Sequence, residues 1–307
     1  MRDIAGIVIR RLVYGIIALF LLLTAVFFVT RVIRDPVAAL AGEDATQAMR
    51  DAIRHSLGLD KPLWQQYFVF LGQVSHGDFG ASYRIGQPAM ELVLGRLPAT
   101  LSLTFLSLAI ALIAIPIGVI AAARPGSVID SVARFLAALG ASMPVFWLGI
   151  LLIIIFAVEL RVLPSGGTEG WQSLILPALT LSFYSLPLTM RITRSSLLDV
   201  LHRDYIRTAR AKGLSEWSVI IKHGLRNAMI PVITVLAVRL GTIIAGAVVL
   251  EQVFGYPGMG QLAIRSMRIG DFPVVQAFIV VIGAGILIIN LLADLLYQIA
   301  DPRVRVS

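Results

Sequence analysis

Six stretches of this chain are too long and too apolar for the core of a water-soluble domain. A helix needs about 20 consecutive apolar residues to cross the hydrocarbon of a bilayer, and the sequence supplies them at 12–29, 101–123, 135–158, 174–190, 228–250 and 274–293. The fourth is the shortest and carries Pro177 and Pro187. Only 14% of the residues are charged while 58% are hydrophobic, against roughly 25% charged in a soluble domain. The first stretch follows Arg10 and Arg11 directly. Its apolar run is too long for a signal peptide and lacks a small-residue cleavage site, so it reads as an uncleaved membrane helix. Pro116, Pro144 and Pro231 are expected inside spans, where neighbouring groups can satisfy the carbonyls they free.

The net charge of +8 would suggest nucleic acid in a soluble protein, but here it follows from membrane topology. With the N-terminus inside, the cytoplasmic set holds Arg2, Arg10, Arg11, Arg124 and Arg134, eight basic residues between Arg191 and Arg226, and Arg303 and Arg305. The other face keeps Arg34, Arg50, Arg54, Lys61, Arg84 and Arg96 in the long first connection, with Arg161, Arg265 and Arg268 in later loops. Both termini are therefore expected in the cytoplasm. The chain has no cysteine, which excludes disulfides and thiolate metal sites; His55, His76, His202 and His223 are scattered over both faces, so no metal site is expected.

The connection at 32–97 is long enough to fold. Residues 45–59 have helical spacing and a stop at Gly58, and Pro62 opens a second amphipathic stretch running to Val74. The segment reads as a lid or docking element outside the membrane. Inside, residues 203–231 read as two short helices with a break. Leu198, Leu201, Tyr205 and Ala209 share a helical face opposite Arg203, Arg207 and Arg210. Gly213 suits a left-handed cap, and Ser215 can cap a second helix whose apolar face is Trp217, Ile220, Ile221 and Gly224. Such a helix-turn-helix would be a rigid knob on the cytoplasmic side.

This inside segment resembles the EAA loop of bacterial ABC importer permeases. Arg207, Thr208 and Ala209 stand at the Glu-Ala-Ala positions, with Gly213 at the glycine. The variant resembles the dipeptide/oligopeptide (peptide/nickel) subfamily, with RTARAKG at 207–213 and His223, Leu225, Arg226 and Asn227 following. The likeness runs along the whole chain: LGLDKPLWQQY at 57–67, GDFGASYRIGQP at 77–88, RLPATLSL at 96–103, SMPVFWLGILLI at 142–153, EQVFGYPGMGQL at 251–262, DFPVVQA at 271–277, NLLADLLY at 290–297 and DPRVR at 301–305. Order and length resemble the B-type permease subunit of that family. Two positions depart from it: VIRDP at 32–36 lacks the usual glycine, and Arg239 replaces a neutral residue in the fifth span.

The resemblance implies an all-α integral membrane protein with six transmembrane helices, the type I ABC importer permease fold, and a folded extracytoplasmic segment between helices one and two. Its parts would be 1–31 (cytoplasmic N-terminus and first helix), 32–97 (docking segment), 98–300 (permease core, with the coupling loop at 191–228) and 301–307 (cytoplasmic tail). It further implies half of a translocation path for dipeptides or oligopeptides in a bacterial cell membrane. The partners would be a second permease subunit, one or two ABC ATPase subunits and an extracytoplasmic solute-binding protein. ATP and Mg belong to the ATPases; the chain carries no G-x-x-x-x-G-K-[ST] loop, no cofactor is expected in it, and it is not itself an enzyme. Arg203, Tyr205, Arg207, Thr208, Ala209, Gly213, Trp217, His223, Arg226 and Asn227 are the implied ATPase-coupling residues. Tyr205 and Trp217 would be apolar anchors, with Arg203 and Arg207 at a charged rim.

Arg239 is the one charge expected in the middle of a span. It must face protein or water, either lining the path, where it could attract a peptide carboxylate, or pairing with an acid such as Asp294. Glu251, Phe254, Pro257 and Gly258 fall just outside the fifth helix at a Pro-Gly turn; the resemblance implies that this region approaches the external gate and the docked solute-binding protein, the alternative being an ordinary turn. Nickel or glutathione-type cargo is the alternative within the family. A proton-coupled carrier would need carboxylates at membrane depth, which these spans lack. An intramembrane enzyme would need a nucleophile and base or a ligand set there.

Overall fold

In the computed structural model, residues 2–33, 36–41, 45–56, 58–167 and 170–300 are described. Arg34 and Asp35 of the VIRDP stretch, the DPRVR stretch, the tail 301–307 and the side chain of Asp294 lie outside what is described. Helices are the regular structure of the described residues, which hold no strand beyond one isolated bridge between Ala81 and Pro88. The helices are α1 Arg2–Ile33, α2 Pro36–Ala41, α3 Gln47–Ser56, α4 Leu63–Ser75, α5 Ala89–Leu112, α6 Ala114–Ala123, α7 Val128–Ser142, α8 Val145–Leu152, α9 Ile175–Ser182, α10 Leu186–Leu201, α11 Asp204–Ala211, α12 Glu216–Ser218, α13 Arg226–Val253, α14 Met259–Ile269 and α15 Phe272–Ala300. Two π-helical stretches, Ile153–Glu159 and Val219–Leu225, continue α8 and join α12 to α13.

Four helices are long and apolar enough to cross a membrane, Ile9–Thr30, Ala89–Ala123, Glu216–Val253 and Phe272–Ala293, and two bent pairs bring the total to six. The bent pairs are the third and fourth spans. The third, expected as one helix over 135–158, breaks between α7 and α8 with a bend of 109°. The cause is Pro144, which forces Met143 into extended backbone (φ −99, ψ 134) and then opens α8. The fourth bends by 51° ahead of Pro187, which sits in the first turn of α10. Pro116 removes the donor that would bond the carbonyl of Leu112, and α5 gives way to α6 at Ile113. Of the three prolines expected inside spans, Pro231 alone leaves its helix uninterrupted.

The chain divides into two compact units. One comprises Met1–Thr100 with Pro257–Leu287. Its core joins Leu23 and Phe27 of α1 to Phe70 of α4, Phe79, Ala89 and Val93, and Met259, Val274 and Ala277. Tyr67 donates to or accepts from Thr24 at 2.7 Å, and its ring lies edge-on to Phe27. The expected helices of the long connection are present as α3 and α4. Gly58 takes the left-handed conformation (φ 63) of the predicted stop. Where α1 meets α15, Gly15 has no room for a Cβ beneath Leu287, and a Cβ on Gly283 would stand 2.7 Å from Leu19. The loop at 77–88 is fixed by the fully buried Asp271: Ser82 Oγ donates to one carboxylate oxygen and Tyr83 N to the other at 3.0 Å. Ser82 Oγ in turn accepts from Ile85 N at 3.1 Å.

The second unit comprises Leu101–Tyr256 with Ile288–Ser307. Leu103, Leu176, Leu181, Ile243, Ala247 and Leu250 form its largest cluster. Small residues dominate a second cluster, as expected where helices in lipid associate by close backbone approach. Ala114, Ala121, Ala133 and Ala137 surround Met190. A Cβ on Gly118 of α6 would stand 2.8 Å from both the Met190 carbonyl and Thr193 Cβ of α10.

Because the obstacle at Gly118 is backbone, Gly118→Ala is expected to destabilise the chain by about 1–3 kcal/mol through overpacking, read as a lower unfolding temperature in detergent. Gly72→Ala, where nothing stands within 4 Å of the new carbon, serves as the control and should not fall. Asp271→Ala should free the loop at 77–88, and trypsin should then cleave after the exposed Arg84 faster than in the parent protein.

Candidate functional site: a clasped knob and an arginine-lined cavity

The knob at 203–227 forms from two helices and a turn. Arg203 is extended (φ −76, ψ 151) at the start of α11, and Gly213 is left-handed (φ 78) at its end. Ser215 Oγ accepts from Ser218 N at 3.4 Å as the expected cap. The guanidinium of Arg210 clasps Glu216 across the turn, Nη2 to Oε1 at 2.7 Å and Nε to Oε2 at 3.1 Å. Opposite charges six residues apart astride a glycine were the available signal for this pair.

Three readings of the knob need correction. Helix α10 ends at Leu201, and α11 starts afresh after His202 and Arg203, so the face containing Leu198 and Leu201 does not continue through Tyr205. Instead Ile206 and Ala209 are buried against Val219, while Tyr205 is exposed. Trp217 likewise lies on the outside, 60% exposed, rather than on an apolar face. The π-helical stretch explains the rotation: with hydrogen bonds to the fifth residue, the side turned inward is Val219, Ile220 and Gly224. The second short helix is not separate. It runs through the π turn into α13 as one continuous helix, Glu216–Val253.

Behind the knob, Ile220 and Ala228 pack with Leu197 of α10 and Val119 and Ala122 of α6. Gly224 lets Leu197 and Leu201 approach, with a Cβ there meeting Leu197 at 3.0 Å. Asn227 Nδ2 donates to the Tyr205 hydroxyl at 2.8 Å and to the His223 carbonyl at 3.4 Å, so these three expected residues come together. Arg207 stands 3.7 Å from Asp204, both exposed, and Thr208 Oγ1 donates to the Asp204 carbonyl. Tyr205, Leu214 and Trp217 of the knob are exposed large apolar side chains, and Arg203, Arg207 and Arg226 are exposed as well.

Arg239 lies on the wall of a cavity of about 570 Å³ within the second unit, formed by α7, α10 and α13. Arg134, Arg191 and Arg194 line the same cavity, which the sequence reading did not anticipate. Asp130, 1% exposed, stands behind it. Both of its oxygens accept from Arg194, Oδ2 from Nη2 at 3.0 Å, and Oδ2 also accepts from Gly126 N at 3.0 Å. Arg134 is 3.7 Å from the same carboxylate. The spacing Asp130 to Arg134, one helical turn, was the sequence signal for an acid held at this end of α7.

The four residues expected at a gate divide between the units. Glu251 is inside α13 and fully buried, not beyond the helix as expected, because the helix continues to Val253. Phe254 is 3% exposed; its ring lies against Gly149 and its carbonyl accepts from Gly167 N at 3.2 Å. Burial, with the charge of Glu251 adding, pushes the Tyr256 hydroxyl above its ordinary pKa. In the first unit, the Pro257 carbonyl accepts from Arg96 at 3.2 Å, and Gly258 precedes α14, whose Met259 N donates to Thr100 Oγ1 at 2.9 Å.

Comparison with known proteins agrees with this architecture. Residues 114–306 match the family model of the binding-protein-dependent transport system inner membrane component, and residues 4–104 match the N-terminal model of the same transport-system membrane components. The glutathione transport system permease protein GsiC of Escherichia coli K12 is 41% identical over 97% of this chain and 98% of its own length. The dipeptide transport system permease protein DppB of the same strain is 40% identical over 91% and 92%. Among solved structures, an inward-facing form of the MetNI methionine ABC transporter aligns at TM-score 0.57 and 20% identity, covering 69% of this chain and 97% of that one. An amino acid ABC transporter crystallised with histidines aligns at TM-score 0.55 and 17% identity, covering 75% and 97%. The fold is that of the type I importer permeases.

Asp130→Asn should cost about 3–5 kcal/mol by leaving the Arg194 guanidinium without its charged partner, seen as loss of monodisperse protein on size exclusion. Glu216→Gln, at an exposed pair, should cost only about 0.2–1 kcal/mol by thermal unfolding.

Proposed function

Since the chain belongs to the binding-protein-dependent transport system inner membrane components and is the permease subunit of an ABC importer, we propose that it imports dipeptides or short oligopeptides into a bacterium. The glutathione and dipeptide systems to which its relatives belong support this cargo class. It works with a second, different permease subunit that completes the path, with one or two ATPase subunits that bind ATP and Mg, and with a solute-binding protein outside. The distribution of Lys and Arg puts both termini and the knob in the cytoplasm and the α3–α4 segment outside.

The observation that carries the coupling role is the outward surface of the knob. Tyr205 and Trp217 are exposed large apolar side chains on either side of a turn that the Arg210–Glu216 clasp bridges. Exposed aromatics on one short helical segment that also exposes Arg203, Arg207 and Arg226 suit a cleft in another protein. Ile206 and Ala209 are the inner face that passes force on, through Val219 to the ends of α10 and α13. ATP closes the ATPase dimer, the two knobs in its clefts move together, and the path alternates between inward and outward access. Nucleotide drives the shift because it binds the closed dimer better than the open one. Arg239 and its cavity are this chain's share of the path. Glu251, Phe254, Pro257 and Gly258 mark the outer edge, with Phe254 acting as a packed support rather than a cargo contact.

Trp217→Ala should weaken ATPase attachment by about 2 kcal/mol or more, the scale of a central aromatic anchor, so that the ATPase no longer co-purifies at the wild-type ratio. Gly213→Val, which forces a branched residue into a left-handed turn, should have the same effect. Full retention of the ATPase by both variants would remove the knob from the coupling interface.

A further inference from the structure

We infer that the cavity of the second unit selects peptides with net negative charge, those carrying more carboxylates than ammonium groups; this rests on the peptide-importer reading above. The cavity, about 570 Å³, falls within the range of about 300–1,000 Å³ typical of small-ligand sites. Ala137 and Gly140 of α7 form one side of it, and α10 presents Arg191 and Arg194 one turn apart.

Among the described residues, four guanidiniums from three helices line the cavity, those of Arg134, Arg191, Arg194 and Arg239, and no carboxylate does. Among the described residues, Asp130 is the acid bound to them. It neutralises Arg194 and partly screens Arg134 from behind the wall. Among the described residues, Arg191 and Arg239 have no carboxylate within ion-pair distance. Basic residues at a cytoplasmic membrane edge are ordinary, but Arg239 lies in the middle of the 228–250 span, where a cation is costly unless water or an anion meets it. Like charges around one cavity raise that cost, and an entering anion lowers it. A zwitterionic peptide brings one carboxylate and one ammonium, whose attraction and repulsion by the cluster largely cancel. Each further carboxylate adds attraction without repulsion and can be held by two parallel N–H bonds from one guanidinium.

The test measures uptake of Glu-Glu and Ala-Ala by the complete importer, with its binding protein, in proteoliposomes. The binding protein is the same in every arm, so its own preference cancels when each variant is divided by wild type. Arg239→Gln should lower the acidic-to-neutral uptake ratio about tenfold and Arg191→Gln several-fold, while Arg239→Lys, which keeps the charge, restores most of the loss. An unchanged ratio in both glutamine variants overturns the inference, as does an Arg239→Lys protein that behaves like Arg239→Gln. Should Arg239→Gln not assemble, the Arg191→Gln ratio decides alone. A dependence of ATPase rate on anionic phospholipid that vanishes in Arg239→Gln while the peptide ratio holds would assign the cavity to lipid and also overturn it. A wild-type importer that moves neither peptide brings down the peptide reading itself.

Discussion

The second unit depends on one close approach, the seat of α10 on α6. Residue 118 has no side chain, so the backbone of α10 at Met190 lies where a Cβ would otherwise be. Lipid supplies no hydrophobic drive between helices, and contact at this range lets dispersion and polar backbone groups hold them together. The helix fixed in this way has two uses. Arg191 and Arg194 face the cavity, and at its far end Leu197 and Leu201 pack on Gly224 behind the knob. One helix therefore joins the arginine-lined wall to the knob proposed as the docking surface.

The Asp130–Arg194 pair adds a second tie between α7 and α10. It stands next to the cavity without lining it, so its carboxylate is spent on holding a guanidinium rather than on repelling an anion. Buried pairs of this kind seldom add net stability over an apolar substitute. What this one supplies is position: Arg194 is held by two nitrogens, and the cluster of arginines keeps a defined geometry despite mutual repulsion.

Much of this was legible in the sequence, and the misses have particular causes. The apolar runs, the stop at Gly58, the cap at Ser215 and the turn at Gly213 are local and appeared as read. Motifs such as GDFGASYRIGQP and DFPVVQA could be recognised as family features, but their reason lies in a hydrogen bond between Ser82 and Asp271, 189 residues apart, beyond any local pattern. Faces were misassigned at Tyr205 and Trp217 because the reading carried one helical period through a helix break in the first case and a π turn in the second. The bend at Pro144 was missed for the opposite reason: hydropathy is blind to direction. Arg239 was singled out by its cost in lipid, while its companions were hidden among the cations that topology alone would place inside.

The stretch Val219–Leu225 has one more consequence. A π turn is in effect an α-helix carrying one surplus residue, and each residue of an α-helix turns the chain by about 100°. Here the surplus lies between the knob and the membrane part of α13. Deleting a single residue there would restore α geometry and swing the knob around the helix axis while the membrane part kept its register. On the proposed coupling role of the knob, a change in chain length at this joint would re-aim its docking surface without redesigning the membrane part of the helix.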